Sequence, residues 1–372
     1  MASKHTRSNR CGQHATRKGL HCAPGRGGQN NGTCYTEPEL RSIAKAWNQS
    51  AKSKASLTNH SLINLKRGRN MQDLWDDLDV RLAGECNNEF CWTQRPIVNQ
   101  VNTQYFETLA NNSFRPQAPL SWTSNPNEWL STTDINEVLR QYEKAHQGFR
   151  FIGAIPVDFA SPVDTAIKVA STKRCIVQEL CQVDVKEWLN QGIDCMGIVF
   201  NMDAHDEPGS HWTSMYINLQ ENSVFYYDSF GDRPPPEVRD FMEQLGVQLE
   251  AVHGEPTTVI QNEVRHQFRN TECGVYSIYF VVKMLEHHKG GGTTKGVDAF
   301  DNFVQYGLND KQINKYRQEF FRKLYGDEGG TPNSSVGGAE RLHGGGRARV
   351  KRKNRRGTRK SSRRIKRQPN LR

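Results

Sequence analysis

The segment from Cys273 to His288, CGVYSIYFVVKMLEHH, is apolar nearly all round over a helical length. A helix without a polar face has to be covered on every side, so this one predicts a buried central helix and a body large enough to surround it. It falls short of the roughly 18 apolar residues of a membrane span, as does every other run in the chain. At 372 residues the chain suits one large domain with attachments or two compact ones.

The cover for that helix is legible upstream. FRFIGAIPV, CMGIVFNM, HWTSMYINL and SVFYYDSF are short apolar runs bounded by Gly, Pro, Asp or Asn, and predict strands of a sheet. VQLEAV and TTVIQN predict two further short strands, and Pro234 to Pro236 launch EVRDFMEQLG as a helix. In EWLSTTDINEVLRQYEKAH the residues Ile135, Val138, Leu139 and Tyr142 recur at helical spacing. Earlier, a Thr cap and first-turn acids open TEPELRSIAKAWN, with Leu40, Ile43, Ala44 and Trp47 at helical spacing. MQDLWDDLDVRL predicts a second arm helix, CNNEFCW an aromatic-rich turn, and DKQINKYRQEFFRKLYG a last polar helix. The expectation is an α+β protein with a disordered basic leader at 1–33, a helical arm at 34–110, a core at 111–326 and a disordered Gly/Arg-rich tail at 327–372.

The formal net charge of +10 conceals a division. Residues 341–372 hold 15 Lys and Arg and residues 1–33 hold 6, with no acid in either stretch, so the body between them is acidic and both ends are cationic. The leader carries no apolar h-region and is not expected to be a secretory signal. Nine cysteines, odd in number and scattered from Cys11 to Cys273, predict thiols in a reducing, intracellular setting rather than a disulfide framework. Cys11, His14, His21, Cys22 and Cys34 fit no strong zinc spacing, and Cys86 with Cys91 ahead of Trp92 is expected to serve packing.

Four residues become informative only jointly. His211 and Asp228 stand 17 apart on consecutive predicted strands that a hairpin would bring together, so a carboxylate can orient an imidazole. Cys273 opens the buried helix, where unpaired amide N–H groups and the helix dipole favour a thiolate. Gln267, six residues ahead, can supply an amide donor which, with the N–H of Cys273, would hold an oxyanion. Singly, each is as well explained by a structural His, a turn Asp, a surface amide or a core Cys.

The order His-Trp, Asp-Ser, Gln, then Cys-Gly ahead of an apolar helix resembles the adenain and SUMO-protease superfamily of cysteine peptidases, clan CE. FIGAIPVDFA, GIVFNMDAHDEPGSHW and YYDSFGDRPPPEV look most like the maturation proteases of large nucleocytoplasmic DNA viruses, the asfarvirus type included. The resemblance covers residues 127–286, with a weaker likeness over the arm. It implies a papain-related fold and a thiol endopeptidase that needs no cofactor or metal, with Cys273 as nucleophile, His211 as base, Asp228 as its orienter and Gln267 as oxyanion donor. It further implies that Trp129 and Trp212 clamp the Gly-Gly end of a substrate. The expected substrates are viral structural polyproteins cut after Gly-Gly or Ala-Gly, in the virion or at cytoplasmic assembly sites.

Two departures bear on the alternatives. Glu272 stands where SUMO proteases usually carry Asp, which leaves the nucleophile intact, and Thr132 replaces an Asp that contacts a ubiquitin-like tail. The latter counts against the rival reading, a deSUMOylase or deubiquitinase acting on host conjugates. The other rival is an inactive nucleic-acid-associated scaffold. The tail, KRKNRRGTRKSSRRIKR, lacks interleaved aromatics and is expected to bind nucleic-acid phosphates without reading bases.

Overall fold

The computed structural model describes residues 21–26, 32–53, 62–66, 68–162, 175–290 and 295–323. Its centre is one five-stranded sheet in the order β1 (Phe149–Pro156), β2 (Cys195–Asn201), β3 (Trp212–Asn218), β4 (Ser223–Tyr227) and β5 (Thr258–Gln261). The two end pairs are parallel and the two inner pairs antiparallel. Side chains alternate between the faces, as the strand period requires. Val199, Tyr216, Phe225 and Tyr227 join the core on one side, and Met196, Ile198, Phe200, Met215, Ile217, Val224 and Tyr226 that on the other.

Helices cover both faces, which is why every residue of β3 and β4 is buried. Ahead of the sheet lie α1 (Glu37–Ser53), α2 (Met71–Leu82), α3 (Glu89–Gln94), α4 (Pro96–Asn99), α5 (Thr103–Ser113) and α6 (Thr132–Ala145). The remainder are α7 (Gln178–Cys181), α8 (Val185–Asn190), α9 (Pro236–His253), α10 (Cys273–Lys289), α11 (Gly296–Gln305), α12 (Asp310–Ile313) and α13 (Tyr316–Phe320). Helix α10 is the central one, with eleven buried residues, and shares the first core with α6, α11, α12 and α13. Helices α8 and α9 cover the other face. Helices α1 to α5 enclose their own cluster around Tyr35, Trp47, Trp75 and Trp92. Glu89 sits at its centre, accepting from Thr33 Oγ1 and the Cys34 amide at 2.9 Å and from Trp75 Nε1 at 2.5 Å.

Three expectations need correction. VQLEAV is not a strand: α9 runs through Gly246 to a left-handed stop at Gly254 (φ +74°), because Leu245 and Leu249, four apart, are both fully buried against the sheet. The cysteines are not all thiols either. Cys22–Cys34, Cys86–Cys91 and Cys175–Cys181 form disulfides with Cα separations of 5.1, 5.5 and 6.5 Å, while Cys195 and Cys273 are free among the described residues. Nor is the whole of 1–33 without structure. Cys22 bridges to Phe114, the buried Ala23 donates to the Ser113 carbonyl at 3.0 Å, and the disulfide fastens this stretch to the arm. Cys11 and His14 lie outside the described residues, as does the basic tail.

Candidate active site

The hairpin β3–β4 pairs Ser214 with Tyr227, so His211 just before β3 and Asp228 just after β4 meet at its open end. His211 Nε2 lies 2.6 Å from Asp228 Oδ1, and the ring also hydrogen-bonds to the Cys273 side chain. With Nε2 turned to the carboxylate, Nδ1 is the nitrogen left for the thiol. Burial pulls the imidazole pKa down, but Asp228 and Cys273 outweigh it and the ring is pushed up to about 9. At neutral pH the imidazole is therefore protonated, the state that pairs with a thiolate.

Cys273 is the first residue of α10 and only 2 % exposed. Its neighbours hold it from three directions. Glu272, fully buried, accepts from Asn314 Nδ2 at 2.7 Å, and Arg317 Nη2 donates to the Thr271 carbonyl at 2.7 Å, so α12 and α13 brace the start of α10. Gly274 faces Leu130, where a Cβ would come within 2.9 Å of the leucine Cβ. The leucine carbonyl in turn accepts from Trp212 Nε1 at 2.9 Å. Trp212 is thus buried and tied to the Trp129–Leu130 segment through the backbone, while Trp129 is 40 % exposed at the head of α6.

Gln267 is fully buried. Its Oε1 accepts from Ser229 Oγ and its Nε2 donates to the Arg269 carbonyl, both at 2.6 Å, which leaves one amide N–H unused. Two participants were not singled out from sequence. Asn262 accepts from the Asp228 amide and donates to the Asp228 carbonyl, both at 2.8 Å. The Phe230 amide donates to Asp228 Oδ1 at 2.8 Å, and its ring stacks on His211 with centres 4.4 Å apart. Nothing in an isolated Asn or Phe near a strand end signals this, since both act through loop geometry. Among the described residues no cluster of His, Cys, Asp or Glu is placed to hold a metal.

Residues 177–325, which include this constellation except Trp129 and Leu130, match the Ulp1 protease family, C-terminal catalytic domain. The chain carries a cysteine-peptidase domain of that family. A protein of Acanthamoeba polyphaga mimivirus named as a thiol protease is 28% identical to the peptidase over 309 residues, 81% of this chain and 93% of that one. A cysteine protease of African swine fever virus is 25% identical over 242 residues, 64% of this chain and 83% of that one. The crystal structure of an African swine fever virus protease superposes with a TM-score of 0.51 at 21% identity, covering 72% of the peptidase and 94% of its own chain, a likeness of fold. The fold is α+β of the Ulp1 type with a helical N-terminal region, and the activity is that of a thiol-dependent hydrolase of peptide bonds.

Proposed function

We propose that the peptidase matures viral structural polyproteins by cutting after Gly-Gly or Ala-Gly, in the virion or at cytoplasmic assembly sites. The observation that carries the chemistry is His211 lodged between Asp228, at 2.6 Å, and the thiol at the start of α10. The Cys273 thiolate attacks the scissile carbonyl carbon, and the carbonyl electron pair moves to oxygen, where the Cys273 amide and the unused N–H of Gln267 receive it. The pair returns, the C–N bond breaks, and the His211 imidazolium gives its proton to the leaving amine. A water then attacks the thioester, His211 takes up its proton, and the acid product leaves with Cys273 again a thiolate. Asp228 holds the ring in the orientation that serves both transfers.

Trp212, fastened beneath Leu130, and the half-exposed Trp129 supply the aromatic walls of the substrate slot. Two indoles facing a peptide leave no room for a Cβ, which accounts for glycine before the scissile bond. The cationic tail, 15 Lys and Arg without an acid, would keep the peptidase beside nucleic acid where its substrates assemble. The test is an electrophilic Gly-Gly peptide probe offered to the wild type and to Cys273→Ala. Adduct on Cys273 alone is expected, and replacing the terminal Gly by Val should prevent it. Capture by a ubiquitin-like probe but not by the short peptide would turn the reading toward deconjugation of host proteins.

A further inference from the structure

Apart from His211, the side chains proposed for the chemistry come from the loop that follows β4, 228–230, and from the stretch 262–273 that leads into α10, and loop-to-loop bonds join the two. The Ser229 carbonyl accepts from the amides of both His266 and Gln267 at 2.9 Å. One side chain in this join has no part in the site as described above. Arg265 lies with its guanidinium carbon 5.0 Å from the centre of the Phe230 ring and 5.2 Å from that of Phe268, and its Nε donates to the Gln267 carbonyl at 2.7 Å. Phe230 is also the ring on which His211 stacks, at an interplanar angle of 9°. A flat guanidinium can face aromatic rings while its edge N–H bonds a carbonyl, a combination open to Arg and not to Lys.

We infer that Arg265 is a positioning residue for the peptidase: it grips the backbone of Gln267 and thereby sets the direction of that residue's remaining amide N–H toward the oxyanion. The inference rests on the oxyanion role proposed for Gln267. Arg265 and Phe268 are both exposed, Phe268 by 70 %, so the stack adds little to the packed core. Its effect is local, on the placement of one buried amide. Arg265 acts through Gln267 and not by touching substrate, so it influences kcat and not KM.

Steady-state kinetics of the full chain on a peptide that the wild type cleaves decides this. Arg265→Met should lower kcat about tenfold, a part of the roughly 10² to 10³ that an oxyanion donor carries, with KM unchanged. Arg265→Lys should restore little. Adding Arg265→Met to Gln267→Ala should cost nothing beyond Gln267→Ala alone, because the grip has no donor left to aim. Iodoacetamide labels Cys273 without forming an oxyanion, so labelling of Arg265→Met at the wild-type rate reports an intact thiol–imidazole pair. Where Arg265→Met does not fold, Phe268→Ala removes the outer ring and should lower kcat about threefold. Unchanged kcat, a rise confined to KM, or additive losses in the double variant each overturn the inference while Gln267→Ala alone still loses kcat. Gln267→Ala at wild-type kcat would instead fault the oxyanion reading itself, and Arg265 with it.

Discussion

His211 sets the pH behaviour of the site. Its pKa is raised to about 9, so the proton proposed for the leaving amine is present at neutral pH and is lost as pH climbs through that value. The expected outcome is a fall in kcat/KM on the alkaline side with a midpoint near 9, read from a pH–rate profile. The same sign governs stability: the ring's contribution is complete below its ordinary value and is lost as pH rises through about 9. Asp228→Asn removes the charge that raises the pKa, so the alkaline midpoint should move down while some activity survives. An unmoved midpoint would mean that another group is titrating. Cys273→Ala and His211→Ala should each abolish turnover, since thiol and base act as one unit, and Gln267→Ala should lower kcat by about 10² to 10³.

Among the elements, the arm presents the clearest case of a structure held by one buried carboxyl group. Glu89 lies between Thr33, the Cys34 amide and Trp75, and the Tyr35 hydroxyl donates to its carbonyl at 3.1 Å. Glu89→Ala strands three buried donors and should cost roughly 2 to 4 kcal/mol, measured by urea unfolding. A loss below about 0.5 kcal/mol would show that the arm does not depend on this hub. The arm also reaches α6, where Gln141 Nε2 donates to the Phe114 carbonyl at 2.7 Å and Lys144 Nζ to Asn112 Oδ1 at 3.0 Å. The Trp129–Leu130 segment leads directly into α6, and with Trp129 walling the slot as proposed, loosening the arm should raise KM for peptide before it changes kcat.

At the scale of the whole molecule the governing feature is the separation of an acidic body from cationic ends. Binding of the tail to nucleic acid should be independent of sequence and steep in salt. If about 6 to 10 charges meet phosphates, affinity falls by about 10³ to 10⁵ between roughly 50 and 200 mM salt, and deleting residues 347–372 flattens that dependence. A salt-insensitive interaction would contradict this. Between body and tail stand Gly337, Gly338 and Ala339, then Gly344 to Gly346 before Arg347, sequences of the kind proposed for the substrates. Wild-type protein should lose a C-terminal fragment beginning at Ala339 or Arg347 on incubation, by intact mass, and Cys273→Ala should not. A full-length wild type that cleaves added peptide would leave the tail as a permanent tether.

Periodicity and position carried much of this protein. The all-round apolarity of 273–288 pointed to a buried helix, the short bounded apolar runs at 195–202, 211–219 and 223–230 pointed to strands, and with His211 and Asp228 on consecutive runs a hairpin would bring them together. These are local regularities of the backbone, and a linear reading registers them. Tertiary structure decided what depends on distance between remote segments. Six cysteines pair because folding brings their Cα atoms within reach. Helix α9 continues past Gly246 because the sheet buries Leu245 and Leu249, overriding a weak local preference. Gly274 makes room for Leu130, 144 positions away. Asn262, Phe230 and Arg265 reach the site only through loop contacts, and such contacts leave no period in a sequence.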